Sequence, residues 1–181
     1  MTKQFAAACF VVLLGAVGGR AQSNEFSFMA GGGALIVGKE PKATAVWTLA
    51  YARNLTRQIA VEGSLDVFFD PIPQRGGGVF RDDYEAFQVA GLYHFRFGAK
   101  PQRLVPYLTA GVGRTSTDFT EIPGATIVRL GGGVKYFFGA AQRLGLRLEL
   151  RHEIIGARNT IAFPPQRVNL PSARVGVVYR F

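Results

Sequence analysis

The chain has 181 residues, 18% of them charged and 48% hydrophobic, with 23 glycines and a formal net charge of +9. This length is one domain's worth, which excludes a multidomain enzyme, and glycine at about 13% against a usual ~7% argues against a helical bundle. Low charge combined with 12% aromatic residues excludes a disordered chain.

The longest apolar run, Phe5 to Gly19, is bounded by Lys3 and Arg20 and is shorter than the ~20 residues of a helical membrane span. It reads as a secretory signal peptide. Lys3 supplies the positive start, the run from Phe5 to Gly15 the apolar segment, and Gly19-Arg20-Ala21 a small-x-small cleavage site. The expected division is a signal peptide over 1–21 and a mature domain over 22–181. Cys9, the only cysteine, lies inside the apolar run and not after it, so lipidation is not expected. Without Lys3 and Arg20 the mature chain carries 19 basic and 12 acidic residues, a net +7. It has no cysteine for a disulfide or a thiolate metal site.

The mature chain predicts eight strands, over 25–37, 42–53, 57–69, 84–98, 103–115, 125–138, 143–155 and 172–181, each alternating with period two. These are longer than the usual ~5–6 residues of a globular strand and match the ~9–11 that cross a bilayer at a tilt. The first strand places Phe26, Phe28, Ala30, Ala34 and Ile36 on one face, and the second places Ala45, Trp47, Leu49 and Tyr51. The third contributes Ile59, Val61, Leu65 and Val67. The fourth sets Phe87, Val89, Tyr93, Phe95 and Phe97 against Gln88, His94 and Arg96. Leu108, Ala110 and Val112 follow on the fifth, and Val128, Leu130, Val134, Tyr136 and Phe138 on the sixth. The seventh is the clearest, with Leu144, Leu146, Leu148 and Leu150 opposite Arg143, Arg147, Glu149, Arg151 and Glu153. The eighth sets Ala173, Val175, Val177, Tyr179 and Phe181 against Arg174, Gly176, Val178 and Arg180. Connections near 53–57, 98–103 and 139–143 are short; those over 69–84, 115–125 and 156–172 are long and rich in Gly, Pro and polar residues. Only 38–41 breaks this alternation.

Periodicity alone does not say which face is outside, since a soluble ligand-binding barrel would put apolar residues inward. Three features favour the inverted arrangement. Phe26, Phe28, Tyr51, Phe95, Phe97, Tyr136, Phe138 and Tyr179 gather at the end with the short turns, as an aromatic girdle at headgroup level does. Charges on the opposite face sit beside Gly131, Gly133, Gly145 and Gly176, as a narrow lumen requires. The chain also ends on an outward Phe181. The expected fold is all-β, an eight-stranded antiparallel up-and-down transmembrane β-barrel.

With its signal peptide, eight amphipathic strands and a terminal Val175-x-Val177-x-Tyr179-x-Phe181, the chain resembles the small outer-membrane β-barrels related to the OmpA barrel, OmpX and the opacity proteins. The resemblance covers the whole mature chain and rests on this pattern, with no catalytic motif behind it. It implies residence in the outer membrane of a Gram-negative-type bacterium. It also implies recognition of the last strand by the outer-membrane assembly machinery, with Phe181 as the key residue.

The lumen holds the only site-like chemistry. The inward set is Glu62, Asp66, Arg96, Arg129, Lys135, Arg147, Glu149, Arg151, Glu153, Arg174 and Arg180, seven bases and four acids. Centring the sixth and seventh strands on Ala141 puts Arg129 opposite Glu153. Centring the seventh and eighth near Phe163 and Pro164 puts Glu153 opposite Arg174. An Arg129–Glu153–Arg174 cluster toward the extracellular end is therefore expected, with Glu62 and Asp66 reaching Arg147 or Arg151 across the barrel. Such a network fills and rigidifies the barrel, because an unpaired buried charge costs several kcal/mol. The alternative is a gate over a narrow, anion-preferring, porin-like path.

Other motifs fail on inspection. Gly33 to Lys39 matches the first seven positions of a phosphate-binding loop, but Glu40 stands where the Mg²⁺-binding Ser or Thr belongs. His94 and His152 are the only histidines; His152 is followed by Glu153 and Ile154, so the His-x-Ser-Asn motif of an outer-membrane lipid hydrolase is missing, and His152 reads as interfacial. Asn54-Leu55-Thr56 reads as turn chemistry. Positive charge is spread without a basic helix, so nucleic acid is not an expected partner. The expectation is a non-enzymatic structural or surface-interaction scaffold with a plugged lumen and no cofactor or metal. Outer-membrane lipids and lipopolysaccharide are expected around it, an unidentified extracellular ligand at the loops, and a monomeric state.

Overall fold

The computed structural model describes residues 23–37, 40–73, 79–97, 102–116, 125–156 and 167–181. The predicted signal peptide lies outside the described residues. Eight strands follow in order: β1 Asn24–Val37, β2 Glu40–Asn54, β3 Ile59–Pro73, β4 Val79–His94, β5 Leu104–Ser116, β6 Thr126–Phe137, β7 Leu144–Gly156 and β8 Arg167–Arg180. Each pairs antiparallel with its neighbour in sequence, and β8 pairs with β1, closing the barrel. The seam is made by mutual bonds at the base, Asn24 N–H to Phe181 O and Phe181 N–H to Asn24 O, both 2.9 Å.

Alternation of burial decides the facing. On β7 the leucines 144, 146, 148 and 150 are 47–62% exposed, while Arg147, Glu149 and Glu153 are fully buried and Arg151 is 3% exposed. The same holds around the barrel: Trp47, Leu49, Val89, Leu108, Val112, Leu130, Val175 and Val177 all point outward. A soluble barrel with an apolar interior and a charged exterior is excluded by this geometry.

Three sequence expectations need correcting. The connection expected over 69–84 is mostly paired strand, since β3 runs to Pro73 and β4 starts at Val79. The eighth strand begins at Arg167, not Ser172, and runs through Pro171. Proline removes one ladder donor, but Leu170 and Ser172 on either side keep the pairing with β7. The earlier start shifts the register, so Arg174 lies opposite Glu149 and Glu153 lies opposite Leu170. The β6–β7 register does place Arg129 opposite Glu153.

Small residues make the narrow interior possible. A Cβ on Gly133 would collide with the Leu148 carbonyl and come within 2.8 Å of the Tyr107 hydroxyl; one on Gly176 would collide with the Phe28 carbonyl. At these points the neighbouring backbone and the long lumen side chains occupy the space a side chain would need.

Candidate functional site

The lumen is filled in layers. Uppermost, away from the short turns, inward Val46, Phe68, Ala86, Ala125, Ile127, Ile155 and Leu170 form an apolar stopper. At the base Val105, Phe137 and Val178 form a second apolar layer. Most of the charged residues lie between them, while Arg180 follows Val178 on β8 and sits at the base itself.

Below the stopper, Asp66 accepts from Arg174 Nη1 at 2.8 Å and from Arg151 Nη1 at 3.1 Å, and Glu153 accepts from Arg174 Nη2 at 2.9 Å. Gln88 donates from Nε2 to both Asp66 and Glu153 at 2.7 Å. Thr48 accepts from Arg174 at 2.7 Å, whose guanidinium lies 5.8 Å from the Phe68 ring centre. In the middle, Glu62 binds Arg129 Nη2 at 2.8 Å and Arg147 Nη1 at 2.5 Å. Glu149 bridges Arg147 and Arg151. The Tyr107 hydroxyl donates to Glu149 at 2.6 Å and accepts from Arg147 Nε at 2.8 Å, while its ring faces both Arg147 and Lys135. Nearer the base, Lys135 Nζ meets Glu25 at 2.5 Å and His94 Nε2 at 3.2 Å. Arg180 Nη2 reaches Glu25 at 2.8 Å, with its guanidinium 3.7 Å from the Phe137 ring centre.

Ten of the eleven expected lumen charges, all but Arg96, therefore line the interior, and three details differ. Arg129 turns from Glu153, its register partner, to Glu62 and Ser64 across the barrel, with Thr109 on the neighbouring β5 as a further acceptor. Long side chains in a narrow lumen span the bore more readily than they fold back along the wall. Arg96 lies past the end of β4, half-buried at the rim and outside the central network. Burial and the nearby charges of Arg180 and Arg57 hold its pKa below the ordinary arginine value. Glu25 was missing from the set, although its parity with Ser27 and Met29 marks it as inward. Among the described residues the ion-paired lumen groups are thus six bases and five acids, an excess of one positive charge in place of the expected three. Tyr107 and Gln88 were equally readable from parity, but their partners on β7 and β3 were not.

On the outer wall, Phe26, Phe28, Tyr136, Phe138 and Tyr179 are exposed near the short-turn end, as are Phe97 and Phe181; Tyr51 and Phe95 are half-buried. Tyr93 joins them through an edge contact to Phe95 at 5.2 Å. Phe28 also meets Trp47 at 5.5 Å, and Trp47 meets Phe69 at 6.2 Å, so the aromatic belt extends upward across β1 to β3. His152 is exposed on the outer face, opposite Leu130 and Pro171.

No family model and no curated protein matches this sequence. Solved structures do. The chain is similar to Neisserial surface protein A, with a TM-score of 0.69 and 14% identity over 87% of this chain and 97% of that one. It is also similar to Ail, the attachment invasion locus protein of Yersinia pestis, solved in complex with the heparin analogue sucrose octasulfate (TM-score 0.57, 14% identity, 88% and 99% covered). A third likeness is to the N-terminal β-barrel domain of Pseudomonas aeruginosa OprF (0.52, 17%, 88% and 97%). At these identities the likeness is one of fold, and the fold of this chain is that of the small eight-stranded outer-membrane β-barrels.

Proposed function

We propose that the chain is an integral outer-membrane protein, exported with a cleaved signal peptide, whose plugged barrel is a rigid, non-enzymatic scaffold for surface loops. The observation that carries this reading is an apolar outer wall around a lumen filled by side chains between two apolar layers. Lipid satisfies no backbone polar group, so a spanning sheet must close on itself, and this one does. The buried ion pairs lock the wall strands to one another, and the apolar stopper disfavours water at the upper mouth.

The connections from β3 to β4, β5 to β6 and β7 to β8 leave the end opposite those from β2 to β3, β4 to β5 and β6 to β7. The central residues of the first three, 74–78, 117–124 and 157–166, lie outside the described residues. Exposed loops on a rigid scaffold are where binding concentrates. Ail, solved with a heparin analogue, offers a precedent for an anionic surface ligand, and this chain carries Arg75, Arg81, Arg158 and Arg167 in or beside those connections. Outer-membrane lipids, lipopolysaccharide and the assembly machinery, reading the strand that ends in Phe181, complete the proposed partners.

The test combines heat-modifiable gel migration of the outer-membrane fraction with planar-bilayer conductance of the same preparation. The expected result is a migration shift without single-channel steps. Stable steps would favour the second reading, a narrow channel whose single excess positive charge gives a weak anion preference. Hydrolysis of lipid A or phospholipid by the purified protein would overturn the non-enzymatic assignment.

A further inference from the structure

A groove of about 520 Å³ crosses the outer wall from β3 to β6, lined by Ile59, Gly91, Tyr93, Leu108, Ala110 and Leu130 among others. It exists because two small residues meet on the outer face. Gly91 lies opposite Ala110, between the pair Tyr93 and Leu108 on one side and Val89 and Val112 on the other. A Cβ on Gly91 would meet nothing within 4 Å, so open space stands where a side chain would be. The named lining is apolar apart from the Tyr93 hydroxyl, which suits a hydrocarbon chain.

A second observation concerns the foot of this groove. The sequence joining β2 to β3, β4 to β5 and β6 to β7 contains Arg57, Arg96, Lys100, Arg103 and Arg143 and no Asp or Glu. Arg57 is exposed two residues before the outward Ile59, and Arg103 is exposed directly before the outward Leu104. An arginine so close to an apolar wall lays its stem along that wall and keeps its guanidinium at headgroup level. The turns that carry Arg57 and Arg103 flank the β3, β4 and β5 strands on which most of the groove is built. A ligand with a hydrocarbon chain and an anionic head satisfies the groove and the turns together.

We propose that this groove and the arginines at its foot bind an anionic glycerophospholipid from the leaflet at the short-turn end, with one acyl chain over Gly91 and Ala110 and the phosphate on Arg57 and Arg103. The inference rests on the membrane-spanning reading above. A zwitterionic phospholipid fills the same groove but brings no net charge to the two guanidiniums. Two arginines near a membrane surface therefore set a preference of about tenfold or more for the anionic head.

The experiment folds the protein into nanodiscs of equal phosphatidylglycerol and phosphatidylcholine, checks insertion by heat-modifiable migration, and counts retained lipids by native mass spectrometry. One retained phosphatidylglycerol is expected, in about tenfold excess over phosphatidylcholine. Gly91→Phe, which points into open space, is expected to abolish retention of both lipids. The pair Arg57→Gln and Arg103→Gln is expected to bring the preference close to one. Arg143→Gln is expected to leave it unchanged, because Arg143 lies on the β8 side, where its carbonyl accepts from Arg180 N–H. An inserted barrel that retains no lipid, undiminished retention in Gly91→Phe, or an equal loss in Arg143→Gln would overturn the site and leave the membrane reading standing. Failure to insert in either lipid would overturn that reading and the site with it.

Discussion

Glu62 is the carboxylate on which two fully buried guanidiniums, Arg129 and Arg147, converge. Its removal leaves Arg129 without its ion pair and Arg147 with Glu149 alone, in a site that water does not reach. Glu62→Gln is expected to cost about 3–5 kcal/mol, the range for breaking a buried pair from one side. Urea unfolding of the barrel in vesicles measures this, with Glu85→Gln on the exposed outer face as the comparison, expected within about 0.5 kcal/mol. A loss at Glu62 no larger than at Glu85 would mean that the network carries no stability. Tyr107 supplies the other joint, as donor to Glu149 and acceptor from Arg147. Tyr107→Phe keeps the ring but leaves Glu149 and Arg147 each short of one bond, at an expected cost of about 1–3 kcal/mol in the same assay.

Each strand presents two solvents to two faces, and substitutions sort accordingly. Leu148 on β7 faces outward at 49% exposure, between the fully buried Arg147 and Glu149. Leu148→Arg is expected to destabilise the bilayer-folded protein by about 2–4 kcal/mol if the residue sits near the midplane. A change below about half a kcal/mol would contradict the lipid-facing assignment. Glycines divide by the same rule. Gly133→Ala drives a methyl into the β7 backbone and the Tyr107 hydroxyl, so a loss of about 1–3 kcal/mol or more is expected from overpacking. Gly91→Ala adds a methyl to open groove and is expected to change stability by less than about 0.5 kcal/mol. The two variants share a chemistry and differ only in what surrounds the new atom.

For the molecule as a whole, closure is the decisive property. An open sheet would leave β1 and β8 as edges with unpaired backbone groups, which neither lipid nor aggregation-free folding tolerates. Here β1 and β8 pair from Glu25↔Arg180 to Gly33↔Ser172 and again at Ile36↔Asn169 and Val37↔Val168, and the Asn24–Phe181 bonds finish the seam. Hydrogen exchange of the bilayer-folded protein should therefore protect β1 and β8 amides as strongly as those of β4. Fast exchange confined to β1 and β8 would show that the seam opens. The lumen adds ion pairs that cross the bore, such as Arg129 to Glu62 and Lys135 to Glu25, so the walls are tied through the centre as well as around the ring.

Side-chain alternation with period two determined, from the sequence alone, the number of strands, their amphipathic faces and which residues share a face, because parity is local. Leu144 to Leu150 against Arg147 to Glu153 needs no tertiary information. The β6–β7 register was readable too, since a short turn around Ala141 fixes its own centre. The β7–β8 register was not: the connecting stretch contains Phe163, Pro164, Pro165 and Pro171, and its centre depends on how far pairing continues past Pro171. Nor could parity assign ion-pair partners. Arg129 left its register neighbour for Glu62, and Glu25 and Tyr107 found partners over a hundred and about forty residues away, respectively. Those choices depend on the bore's width and on which long side chains meet across it, and both are set only when the sheet has curled and closed.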